Sequence, residues 1–158
     1  MEKALKRISQ VGVIVEDLER AIRAFSEDFG ITSWHTFDAT KDFGDLIVDG
    51  KPGMLNIRGA ITAELEGMEI ELIQPTGEGP FADHLKEHGP GVHHIAVIMP
   101  DKNAGFKDVM ARELAAGRTP WIRAEMAEGE PGKKMDFAYL DRRKDMGVIM
   151  ELYNEDKE

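Results

Sequence analysis

The chain has 158 residues, 42% of them apolar, enough for one compact domain and too few for two ordinary ones. Its net charge of −10, from 30 acidic and 20 basic residues, argues against a nucleic-acid groove or an anionic membrane surface, which need clustered positive charge. It has no cysteine, which excludes disulfides, thiolate nucleophiles and Cys-ligated zinc.

The N-terminal stretch "MEKALKRISQ" lacks an apolar h-region, and no later apolar run approaches the about 20 residues that span a bilayer. A cytoplasmic protein with no membrane and no nucleic-acid partner is expected. The apolar strand "ISQVGVIV" then leads through Asp17, a fitting helix N-cap, into a helix with Leu18, Ile22, Phe25 and Phe29 at helical spacing. Gly30 follows where a left-handed C-terminal residue is usual, and Trp34 comes four residues later. Further on, "MLNIRGAITAEL" (54–65) and "MEIELIQP" (68–75) predict a hairpin reversing at Glu66-Gly67. The connector "TGEGPFADHLKEHGPG" (76–91) predicts a short helix over "FADHLKEH".

The pattern then begins again. The strand "VHHIAVIM" is followed by Asp101 as N-cap, a helix with Phe106, Met110 and Leu114 in register, Gly117 and Trp121. Gly30 lies 20 residues after Gln10 and Gly117 lies 23 after His94, while Trp34 and Trp121 lie 24 and 27 after the same two residues. Both landmarks shift by three, as one insertion in a duplicated unit would produce. The strands "KMDFAYLD" (134–141) and "GVIMELYN" (147–154) complete a second β-α-β-β-β unit. The fold expected is α+β: two tandem βαβββ modules, at about 7–75 and 91–154, forming one domain over residues 1–158 with a curved mixed sheet around a metal site.

Duplication singles out four polar residues. Glu71 in "EIELIQ" and Glu151 in "IMELYN" hold the same place in their final strands, as Gln10 and His94 do in their first. Symmetry brings the four together between the modules. A polar side chain in an apolar strand is costly to bury alone, and two adjacent carboxylates repel unless one is protonated or a cation lies between them. A divalent metal removes both costs. Taken singly, each residue has an ordinary explanation, a satisfied core histidine or a solvated glutamate; the symmetric placement of all four is what points to a site. His94 is the ligand candidate because it matches Gln10 in the repeat; consecutive strand residues face opposite ways, so His93 is expected to be structural or solvent-facing.

These segments resemble a known family. The duplicated βαβββ unit with "ISQVGVIVEDLERAI", "IELIQP" and "GVHHIAV" is similar to the vicinal oxygen chelate superfamily, and within it to the methylmalonyl-CoA epimerases, from about Ile8 to Tyr153. The resemblance implies metal ligands at Gln10, Glu71, His94 and Glu151. The first position is usually His in the epimerases, and the Gln-Glu-His-Glu set is similar to that of some glyoxalase I enzymes. Three oxygen donors and one imidazole suit Co²⁺, Mn²⁺, Ni²⁺ or Zn²⁺. The expected activity is that of a racemase or epimerase acting through an enolate beside a carbonyl, with Glu151 and Glu71 as the catalytic carboxylates and a small carbonyl compound as substrate. Glyoxalase I-like isomerisation and metal-free small-molecule binding are the alternatives, and a homodimer is expected.

The epimerases tend to carry a His-Pro pair after the counterpart of Phe137; here "AYLD" follows. Lys133, Lys134, Arg142, Arg143 and Lys144 could hold CoA phosphates, although a solvated basic loop is the commoner arrangement. Trp34, Phe37, Met54, Trp121 and Phe137 are candidates for an apolar substrate wall, although such residues are most often core filler.

Overall fold

The computed structural model describes residues 7–39, 46–62, 64–98, 104–124 and 137–153. In chain order the elements are β1 (Arg7–Ile14), α1 (Leu18–Phe29), β2 (His35–Asp38), β3 (Leu46–Val48), β4 (Lys51–Pro52), β5 (Ile57–Thr62) and β6 (Glu69–Pro75). There follow α2 (Pro80–His88), β7 (Gly91–Ile98), α3 (Ala104–Ala115), β8 (Ile122–Ala124), β9 (Phe137–Arg142), α4 (Arg143–Met146) and β10 (Val148–Tyr153). The chain is therefore α+β. Setting aside β3, β4, α2 and α4, the order is β-α-β-β-β twice, as the duplication predicts.

These residues fall into two compact units. The first draws on Ser9–Phe43 and Met54–His94, the second on Met1–Ile8, Gly44–Gly53 and Ile95–Glu158. Hence β3 and β4, which lie in the first repeat by sequence, belong to the second unit. There β3 runs antiparallel to β8, with Leu46 opposite Ala124 and Val48 opposite Ile122.

In the first unit the strand order is β2-β5-β6-β1. The β5–β6 hairpin pairs Ile61 with Glu71, and β1 runs parallel to β6, with Gln10 beside Glu69 and Gly12 beside Glu71. The hairpin reverses at Gly67, whose φ of +74° suits glycine. Helix α1 forms where expected: the Asp17 carboxylate accepts from the Arg20 amide at 2.9 Å, and Gly30 closes the helix in the left-handed region. The Gln74 side-chain oxygen adds a second cap from β6, accepting from the Leu18 amide at 2.8 Å. Leu18, Ile22 and Phe25 pack with Ala60, Leu72 and Trp34. Phe29 departs from the predicted apolar stripe. It is 74% exposed at the last helical residue, and its ring rests 6.2 Å from that of Phe25.

In the second unit β8, β9 and β10 form an antiparallel run, with Glu151 and Ile122 both opposite Tyr139. Phe106 and Met110 of α3 enter a core with Val97, Ala138, Leu140, Met150 and Leu152. Leu114, expected on the same stripe, is instead 52% exposed near the helix end. Gly117 takes the left-handed conformation predicted for it, whereas Asp101 lies outside the described residues.

Glu113 carries the main ionic cluster of this unit. Its buried carboxylate accepts from Arg118 Nε and Nη2, both at 2.8 Å, and from Arg142 Nη1 at 3.0 Å. The Arg118 hydrogen bond, with the positive charges of both arginines, holds the Glu113 carboxyl below its ordinary value of 4.5. Replacing Glu113 by Gln is expected to destabilise the protein by about 2 kcal/mol at pH 7, less than a fully buried pair because Arg118 is half exposed. A carboxyl with a depressed folded pKa stabilises fully above its unfolded value and loses that contribution as pH falls through the folded one. The wild-type advantage in urea denaturation should therefore shrink as the pH is lowered below about 4.5. A gap independent of pH would refute the assignment.

Candidate metal centre

Three of the four predicted ligands meet within the first unit. Gln10 is the fourth residue of β1, Glu71 the third of β6, and His94 the fourth of β7. His94 is fully buried, and Gln10 and Glu71 are nearly so. The Nε2 of His94 lies 3.3 Å from Glu71 Oε2 and 3.4 Å from Gln10 Oε1. The Gln10 amide is oriented by its other end, where Nε2 donates to Glu69 Oε2 at 3.3 Å. Its carbonyl oxygen is thereby left facing the imidazole.

The donor set fits a divalent ion. Bonds of about 2.1 Å to one tetrahedral or octahedral ion place neighbouring donor atoms roughly 3.0–3.4 Å apart. The observed separations of 3.3 and 3.4 Å fall at the upper end of that range. A carboxylate, an amide oxygen and an imidazole nitrogen together suit a borderline ion rather than a soft one.

Two further residues shape this corner. Gly12, between Gln10 and the end of β1, lies directly beneath the His94 ring: a Cβ built there would fall 1.9 Å from Cε1 and 2.4 Å from Nε2. The imidazole occupies the volume that any other side chain at position 12 would need. A glycine inside an apolar strand signals such a close approach, and "QVGVIV" displays one.

The second is His93, which is buried rather than solvent-facing. Its Nδ1 lies 3.1 Å from Nδ1 of His94. Although successive Cβ atoms of a strand diverge, Nδ1 is bonded to Cγ and can turn back toward a neighbouring ring. The other side of His93 meets helix α2, with ring centroids 4.9 Å from Phe81 and 4.5 Å from His84.

Glu151, the fourth predicted ligand, lies in β10 of the second unit, half-buried opposite Tyr139, much as Glu71 lies opposite Ile61.

The candidates for an apolar wall make the following contacts. The Trp34 indole N–H donates to the Ile31 carbonyl at 3.2 Å and its ring packs on Phe25 at 5.7 Å, so it serves the core. Phe37 lies over Gly59, where an added Cβ would fall 2.4 Å from the ring. Phe137 is buried edge-on to Tyr139 at 5.9 Å. The Trp121 backbone bonds to Tyr139 and Asp49, while Met54 is exposed.

Arg142 and Arg143, weighed above as possible phosphate holders against an ordinary basic loop, pair with acidic neighbours. Arg142 meets Glu113 and Asp145, and Arg143 binds Asp141 at 2.7 Å. Lys133 and Lys134 lie outside the described residues.

Residues 9–139 match the Glyoxalase/Bleomycin resistance protein/Dioxygenase superfamily. No functionally curated protein sequence matches the chain. Among solved structures, a methylmalonyl-CoA epimerase in complex with methylmalonyl-CoA and NH4+ is similar at 23% identity, covering 97% of this chain and 96% of that one, with a TM-score of 0.66. A variant of the Streptomyces coelicolor methylmalonyl-CoA epimerase in complex with 2-nitronate-propionyl-CoA is similar at 21% identity, covering 98% of this chain and 100% of that one, also with a TM-score of 0.66. The Mycobacterium tuberculosis methylmalonyl-CoA epimerase is similar at 20% identity over 97% of this chain and 90% of that one, with a TM-score of 0.64. At these identities the likeness establishes the fold.

Proposed function

The chain belongs to the glyoxalase/bleomycin resistance protein/dioxygenase superfamily, and from that premise we propose a metal-dependent racemase or epimerase acting at a carbon beside a carbonyl. The observation that carries this reading is the convergence of Glu71 Oε2 and Gln10 Oε1 on His94 Nε2 in a buried place. Gln10, Glu71 and His94 are taken to hold the ion. Glu151, their partner by the internal repeat, is taken as the fourth donor.

A divalent ion held there supplies Lewis acidity to a substrate carbonyl oxygen, which acidifies the adjacent C–H. The chain's own carboxylates then do the proton work. In this reading one of Glu151 and Glu71 accepts the α-proton, and the C–H electron pair moves toward the carbonyl oxygen as an enolate forms. The other carboxylate returns a proton to the opposite face, inverting the centre. The glutamates thus have two tasks, ligand and base, while Gln10 and His94 serve only to hold.

Methylmalonyl-CoA, the ligand named for one of the similar structures, is the first compound to try. Protein stripped of metal and resupplied with Co²⁺ or Mn²⁺ is expected to exchange its α-proton for deuterium in D₂O. Metal binding without exchange would keep the site and redirect the search to non-CoA ketones, such as aryl ketones. The Gln-Glu-His-Glu donor set favours one second reading, glyoxalase I-like isomerisation, which a hemithioacetal assay separates. Tight binding of an apolar compound with no affinity for divalent ions would instead indicate a metal-free binding protein.

A further inference from the structure

We propose that His93 is a positioning residue for His94, accepting the hydrogen on His94 Nδ1 when that ring takes up a divalent ion; this rests on the metal reading above. The Glu71 carboxylate oxygen lies 3.3 Å and the Gln10 amide oxygen 3.4 Å from His94 Nε2, while His93 Nδ1 lies 3.1 Å from His94 Nδ1. Two bare ring nitrogens at that distance would repel, so one of the two carries the hydrogen that the other accepts.

An ion fixes the direction of this hydrogen bond. His94 Nε2 must present its lone pair to the ion, so Nδ1 carries the hydrogen and His93 Nδ1 accepts it. An imidazole can serve in either sense at the same atom. A carbonyl could only accept and an amide N–H could only donate.

The structure holds His93 for this task. It is buried against Phe81 and His84 of α2, and His84 in turn packs on His88 with ring centroids 4.4 Å apart. Metal-bound histidines generally donate their second ring N–H to a fixed acceptor, which sets both orientation and basicity. Among the contacts described for His94 Nδ1, His93 fills that place.

Two variants of the full chain separate hydrogen bonding from packing. His93→Phe keeps a ring against Phe81 and His84 but cannot accept. His93→Asn gives up the ring but places an amide near the position of Nδ1, able to accept or donate by turning over. In titrations with Co²⁺ alone, followed by its visible spectrum, His93→Phe should lose about 10–100-fold in affinity and His93→Asn should stay within about threefold of wild type. Wild-type affinity in His93→Phe, or equal loss in both variants, would overturn the proposal. In the wild type with Zn²⁺, long-range ¹H–¹⁵N spectra should show His94 protonated at Nδ1 and His93 Nδ1 without a hydrogen; a hydrogen on His93 Nδ1 in the zinc-bound protein would overturn it whether or not His93→Phe folds. If wild-type protein binds neither ion, the metal reading itself fails and this inference falls with it.

Discussion

A single methyl group added at Gly12 is expected to lower divalent-ion affinity more than about 100-fold, beyond the 10–100-fold typical of losing an outer-shell partner, because it displaces His94, a ligand in the proposed site. The new Cβ would lie 1.9 Å from His94 Cε1, so either the ring or the strand must move. Strand β1 is held by its parallel pairing to β6, with Gly12 beside Glu71. The His94 ring is held by Gln10, Glu71 and His93. Neither can yield cheaply, and such overpacking costs about 1–3 kcal/mol of stability. The same substitution should be nearly silent when His94 is already alanine, since the obstructing ring is gone. A double-mutant cycle of Gly12→Ala and His94→Ala, read by urea denaturation, is therefore expected to show a coupling of about 1–2 kcal/mol. Additive losses would mean that the ring does not occupy the space above Gly12.

The features legible in the sequence are those whose causes are local or repeated. Asp17 and Gly30 bound α1 through bonds to residues a turn away, and both are where the sequence places them. Gln10 and His94 could be matched because the landmarks after each keep a constant offset, and the structure brings those two side chains to 3.4 Å. Glu71 follows from the second set of equivalent strands. Gly12 was visible as a glycine inside a strand, but its partner, a ring from β7, was not. His93 could not be placed by strand alternation, since that rule orients Cβ and leaves the side-chain torsions free to turn Nδ1 back.

Pairing between distant segments was the least legible. Strands β3 and β4 are three and two residues long, too short for a periodic signal, and β3 finds its partner in β8 far along the chain. The basic run near Arg142 raised a similar difficulty. A run of positive residues does not reveal that Glu113, Asp141 and Asp145 neutralise two of them. With Arg142 and Arg143 so engaged, phosphate binding gains no support from them.

On the mechanism proposed above, replacing Glu151 by Gln should abolish epimerisation yet spare part of the proton exchange, because two bases acting on opposite faces would fail one at a time. Glu151 stands opposite Tyr139 in β10 as Glu71 stands opposite Ile61 in β6, so the repeat gives each carboxylate an equivalent backbone position. A glutamine at 151 retains a carbonyl oxygen as a donor but cannot accept a proton. With methylmalonyl-CoA in D₂O, the variant should lose about 10²–10⁴-fold in exchange of one stereoisomer. The other stereoisomer should still exchange, with Glu71 removing and returning the proton on a single face. Glu71→Gln should show the reverse preference, and neither variant should invert the centre. Folding should be little affected by Glu151→Gln, because that side chain is only half-buried and the substitution conserves its volume. Measuring deuterium content separately in each stereoisomer decides the matter. Wild-type epimerisation in Glu151→Gln would remove it from the mechanism, and loss on the same stereoisomer in both variants would leave a single catalytic face and require a second base elsewhere.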